Sequence, residues 1–137
     1  MISVTSVTDK YIVQPGLLDK HRKTLEWLSA ALLWKHELAF FQKLLDKNAP
    51  KFTDVEDKKR IGHFQNLLIY YKGELIDTLR SKLRDHEKSL AGMLETRDES
   101  RTEYFKEHDE LMNELEAFNK TFIAFKEDFF YFIERVI

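Results

Sequence analysis

"ETRDESRTE", residues 95–103, contains no apolar side chain and separates two long runs of helical apolar periodicity. A turn here makes the flanking runs pack against each other as a hairpin. Without a turn they form one rod from about residue 54 to 136, on the order of 120 Å long at 1.5 Å per residue. No proline beyond Pro50 forbids the rod, whose seam would pass through Arg97 and Arg101. Three features favour the turn. The stretch offers nothing apolar to bury, and its Thr, Asp and Ser are weak helix formers. Two capping boxes also overlap in it, Thr96 to Glu99 and Ser100 to Glu103.

Outward from this turn, Tyr104, His108, Leu111, Leu115, Phe118, Phe122, Phe125, Phe129, Phe132 and Val136 alternate in steps of four and three. That is an unbroken heptad seam for a helix over about 100–136. Upstream, Ile61, Phe64, Leu68, Tyr71, Leu75, Leu79, Leu83, His86 and Leu90 form the seam of a helix over about 54–95. Three successive fours from Tyr71 to Leu83 break its heptad as a stutter does, and predict local unwinding there. Thr53-Asp54-Val55-Glu56 fits a capping box at its start, with Thr53 as the cap.

The first helix is expected over about 17–47, stopped by Asn48 and Pro50. "WLSAALLWKHELAFF", residues 27–41, is apolar on nearly every side. Trp27, Ala31, Trp34, Leu38, Phe41 and Leu45 form one seam, and Leu18, Leu25, Leu32 and Ala39 a second. Two seams imply two neighbours, with the second stripe facing the third helix. Exposure of Leu33 and Phe40 in the single chain would point to a further neighbour from another chain. Residues 1–16 are β-branched and end in Pro15-Gly16, so they predict an extended arm.

The fold class expected is all-α: an antiparallel up-down-up three-helix bundle over 17–137, with long coiled-coil-like helices 2 and 3. The short first helix predicts that the chain beyond about 84 and before about 110 projects as a two-helix prong.

Composition agrees and narrows the function classes. Gly is 4 and Pro is 2, too few for a loop-rich or all-β chain of 137 residues. There is no Cys, which removes disulfides and thiol chemistry. The net charge of −2 hides an asymmetry: residues 1–52 carry 8 basic and 5 acidic side chains, residues 53–97 carry 9 and 8, and residues 98–137 carry 5 and 11. No segment has the basic excess that phosphate backbones demand, so nucleic acid is disfavoured. The N-terminus lacks the pattern of a signal peptide, and the only membrane candidate, residues 27–41, is interrupted by Lys35 and Glu37 and falls short of the roughly 20 residues a span needs. A cytoplasmic location is the resulting expectation.

Five histidines in a helical bundle raise the question of a metal. None has Glu four residues later or three residues before it, the spacings of hemerythrin-like and di-iron carboxylate bundles. No cofactor is expected. His86 and His108 fall on seam positions, and the hairpin places them in one layer. The layer reads either as a polar register device or as a proton switch or metal clip. His36 and His63 are expected at the seam edge. Glu103, Glu107, Glu110 and Glu114 form an acidic stripe, read as a solvated face or a dock for a basic partner. No phosphate loop, nucleophile elbow or zinc-protease motif is present. The expected function is therefore non-enzymatic: interaction or self-association, scaffold- or adaptor-like and possibly homodimeric. The alternative is a sensory or ligand-binding bundle using an internal cavity or the His86/His108 layer.

Overall fold

The computed structural model describes residues 12, 14–99 and 101–137; among them there is no strand, and the fold is all-α. Helix α1 spans Pro15–Asn48 and is followed by a 3₁₀ turn at Ala49–Lys51. Helix α2 spans Val55–Tyr70, a π turn follows at Tyr71–Leu75, and α3 continues the same rod over Ile76–Thr96. Helix α4 spans Thr102–Ile133.

Pro15 and Gly16 open α1 instead of closing an arm. Proline suits the first helical position because its φ is preset and its missing N–H would have had no partner. The Gln14 carbonyl accepts from the amides of both Leu17 and Leu18. Of the expected arm, only Ile12, Gln14 and these two helical residues are described; Ile12 is buried.

Contacts between helices set their directions. From α2 and α3 to α4, the pairs are Arg60–Asp128, Lys82–Glu114 and His86–Glu107, with numbers running in opposite senses. From α1 to α3, His21–Glu87 and Lys35–Asp77 do the same. From α1 to α4 the numbers advance together, as in Glu37–Lys126, Trp34–Phe118 and Phe41–Phe129. The single-rod alternative is thereby excluded.

The core is built on the phenylalanine file of α4. Phe118, Phe122, Phe125 and Phe129 succeed one another at 5.6, 6.1 and 5.9 Å between ring centroids. Trp34 and Phe41 meet the file from α1, and Phe64 and Tyr71 meet it from α2 and the π turn. Phe52, after the 3₁₀ turn, stacks on Phe132 at 4.3 Å and closes that end. Each fully buried ring contributes roughly 2–3 kcal/mol by removal from water.

The break expected between Tyr71 and Leu83 is real, but its form differs. The π turn absorbs one surplus residue, so the buried seam steps from Tyr71 to Ile76, then to Leu79 and Leu83. Leu75, expected on the seam, is only half-buried, and Ile76 takes its place at 0% exposure. Beyond the π turn the seam regains its steps of three and four through His86, Leu90 and Met93.

Other local expectations shift as well. Asp54, not Thr53, caps α2: its carboxylate accepts from the Glu56 amide at 3.2 Å. The Thr96 box does not form, because the Thr96 hydroxyl donates back to the carbonyls of Gly92 and Met93. The Ser100 box rests on a residue outside those described, and the α4 cap position is Arg101, without a side-chain bond. The turn is made by Arg97 in the left-handed conformation, at φ 58° and ψ 30°. The Arg97 amide donates to the Leu94 carbonyl and the Asp98 amide to the Met93 carbonyl, the Schellman pattern.

The expected two-helix prong is absent. Helix α1 lies far enough along α3 to cover it: His21 meets Glu87, Lys35 meets Asp77, and Leu17 is buried with Leu90, Met93 and Tyr104. The buried stripe of α1 runs on through Thr24, His21 and Leu17, while Trp27 is only half-buried. Nor does the Leu25/Leu32/Ala39 stripe form the α4 flank. Leu32 is exposed, and Glu37 carries the ion pair to α4.

Two substitutions test this description. Ile76→Ala should cost about 3 kcal/mol in urea unfolding and Leu75→Ala about 1 kcal/mol; equal costs would contradict the displaced seam. Arg97→Gly removes the penalty of a side chain in the left-handed region and should stabilise by about 0.5–1 kcal/mol.

Candidate functional site

Two features of the molecule go beyond an ordinary apolar core. The first is a polar layer at the end near the α3–α4 turn. His86 reaches it from α3 and His108 from α4, as their seam positions require. His86 Nε2 and His108 Nδ1 lie 2.9 Å apart, and His86 Nδ1 lies 2.7 Å from Glu107 Oε1. The Glu107 carboxylate can only accept, so His86 Nδ1 carries the proton and donates to it. The lone pair left on His86 Nε2 accepts from His108 Nδ1–H. The result is a carboxylate–imidazole–imidazole chain with a defined direction. Both rings are almost fully buried.

The Tyr104 ring lies flat on His86, with centroids 4.2 Å apart and planes 6° from parallel. Its hydroxyl is buried without a hydrogen-bond partner, an arrangement that costs roughly 1–3 kcal/mol. Burial, together with the Glu87 and Glu107 charges, pushes the Tyr104 phenol up from its ordinary range. Burial is also the largest effect on His108, lowering it to about 4; His86 and Lys20 lower it further, and Asp109 opposes them. His108 is thus neutral at neutral pH.

A third histidine joins this end. His21 of α1 places Nδ1 3.0 Å from Glu87 Oε1. Its place on the inner face follows from extending the α1 stripe backwards through Leu28, Thr24 and His21. That signal is present in the spacing, but a seam drawn through Trp27 passes it by. His36 and His63 are exposed. Among the described residues, no group of three or more His, Asp or Glu side chains is arranged to hold a metal ion.

The acidic stripe is divided. Glu107 turns to His86, and Glu114 accepts from Lys82 Nζ at 2.8 and 3.0 Å. Glu110 lies with both of them along an open groove of about 320 Å³, also lined by Lys82, Asp85 and Leu111. Glu103, one turn before Glu107, is exposed.

The second feature is an apolar surface on the outside of the α1–α4 pair. Leu33 and Phe40 on α1 are 59% and 57% exposed; Ile123 and Phe130 on α4 are each 44% exposed. Ile137 continues the α4 row past the helix end and is exposed too. These residues lie one step outside the flanks where the helices meet. Glu37 and Lys126 form the ion pair beneath them at 3.1 Å, and the Phe130 ring stands edge-on to Phe41 at 5.2 Å. Because α1 and α4 run the same way, Leu33 sits about level with Ile123, and Phe40 with Phe130. Among the described residues, no helix is long and apolar enough to cross a membrane.

The sign of the pH effect at the histidine layer follows from the His108 shift. A histidine whose folded pKa is about 4, against 6.5 unfolded, contributes stability that is complete above pH 6.5. That contribution is lost as pH falls from 6.5 towards 4. The loss should be on the order of 2 kcal/mol after solvent screening. Urea unfolding of the wild type and of His108→Leu should show their difference changing by this amount between pH 7.5 and 4. A difference that stays flat removes His108 as the source.

No protein-family model matches the chain, and no curated protein or solved structure is similar to it.

Proposed function

We propose that the chain is a non-enzymatic interaction module: an antiparallel up-down-up three-helix bundle with coiled-coil-like seams that binds a helix of another protein chain on its α1–α4 face. The observation carrying this reading is the paired exposure of Leu33 and Phe40 beside Ile123 and Phe130. Isolated exposed apolar residues are ordinary, whereas a contiguous set on two adjacent helices marks a surface that gains by being covered. Covering these side chains would contribute roughly 1–2 kcal/mol each. Two parallel helices present a groove into which a third fits by ridge-and-groove packing. The acidic balance of the last 40 residues supports a protein partner over nucleic acid.

A second reading rests on the Glu107–His86–His108 chain. As a sensor, the bundle would take up a proton at this layer in acid and loosen its α3–α4 end. The Tyr104 ring stacked on His86, with its hydroxyl buried and unpartnered, supports that reading.

The first reading is tested by placing a photo-crosslinking phenylalanine analogue at position 40 or 123 in living cells that express the chain. Protein adducts should form there, and not at the exposed positions 66 and 81 on other faces. Adducts distributed without preference among the four positions would defeat it.

A further inference from the structure

We infer that the occupant of the α1–α4 face is a second copy of this chain, related by a two-fold axis running parallel to the helices. The inference rests on the interaction reading above and names its partner.

The argument comes from the charges that border the apolar rows. On α1 the border holds Lys43 and Lys47, both exposed and without an ion pair among the described residues. On α4 it holds Glu127 and Glu134, exposed and likewise unpaired. The face therefore has a basic edge, an apolar middle and an acidic edge. The two edges occupy the same stretch of the helices, because the offset set by Glu37–Lys126 brings Lys43 and Lys47 level with the last two turns of α4.

Such a face is complementary to itself in one orientation. A two-fold axis parallel to the helices lays α1 of one copy over α4 of the other in the same direction and preserves the level. Lys43 and Lys47 then meet the partner copy's acidic edge, and the same pairing repeats on the other side. Leu33, Phe40, Ile123 and Phe130 of the two copies close against one another between the edges. A two-fold axis perpendicular to the helices sets α1 on α1 and α4 on α4, which places like edges together. The face is also of limited size. Ala30 to Lys47 spans about 25 Å, and two helices side by side about 20 Å. The roughly 500 Å² per copy is below the ~800 Å² of a standard stable interface, so association belongs in the micromolar range.

Sedimentation velocity on the full chain, from about 1 to 500 μM, reads the result, with circular dichroism checking that each variant is folded. The wild type should be half dimeric at about 10–100 μM. Lys43→Glu/Lys47→Glu and Glu127→Lys/Glu134→Lys change only exposed positions, and each should raise that midpoint at least tenfold. An equimolar mixture of the two variants should restore it, because every reversed edge then meets an opposite one. A wild type that is monomeric throughout, variants that associate as tightly as the wild type, or a mixture that stays monomeric would each overturn the inference. A monomeric wild type whose positions 40 and 123 still form adducts in cells would reject the second copy while leaving the interaction reading standing.

Discussion

A rod that must keep one face inward from residue 61 to residue 93 cannot carry a surplus residue in regular α geometry. One extra residue rotates everything beyond it by about 100°. Here the surplus is confined to Tyr71–Leu75, where the chain widens into a single π turn. The turn returns Ile76, Leu79 and Leu83 to the interior, all at 0% exposure. It also brings His86, Leu90 and Met93 inward, so the composition of the far end of the molecule depends on it. Without that correction, His86 would face away from His108, and α4 would lose Ile76, Leu79 and Leu83 as apolar partners beyond the turn.

The two ends of the bundle then differ in chemistry. Towards the α1–α2 turn the interior is aromatic: Phe52, Phe64, Phe129 and Phe132 pack ring against ring. Outside this end, the Arg135 guanidinium grips Asp57 with two bonds of 2.9 Å and holds its carboxyl below the usual carboxylate range. Towards the α3–α4 turn the interior also holds the buried imidazoles of His86, His108 and His21, beside apolar Leu17, Leu90, Met93 and Tyr104; His86 bonds outward to the exposed Glu107 carboxylate and His21 to the half-buried Glu87. A hydrogen-bonded layer constrains register more strictly than a phenylalanine layer, which tolerates sliding. The polar end joins α3 to α4 through side-chain hydrogen bonds, whereas the aromatic end joins the helices through stacked and edge-on rings.

Much of this was legible before the fold was known. The α4 seam was readable residue by residue from Tyr104 to Phe132, because a regular heptad without glycine or proline has one way to face a core. The meeting of His86 and His108 followed from counting outward from the turn. The placement of α1 along α3 was not readable in the same way. Pro15-Gly16 is a turn signal in isolation, and it became a helix start because the α3–α4 end offered Leu90, Met93 and Tyr104 for Leu17 to cover. The Thr96 hydroxyl illustrates the same competition. It stands where an N-cap would stand, but α3 extends to Thr96 and claims that hydroxyl for its own last carbonyls.

The sequence by itself determined the helical class, the seam of α4, the site of the break in the seam of α2 and α3 and the pairing of the two seam histidines. These are properties of spacing, and spacing along a helix is set by local geometry alone. Tertiary structure decided which residue absorbs the break, how far α1 reaches, which of its flanks meets α4 and which apolar residues are left in water. Those outcomes depend on the surface each helix finds opposite itself. A residue such as Phe40, as apolar as its neighbour Phe41, is exposed only because the third helix lies on the other side.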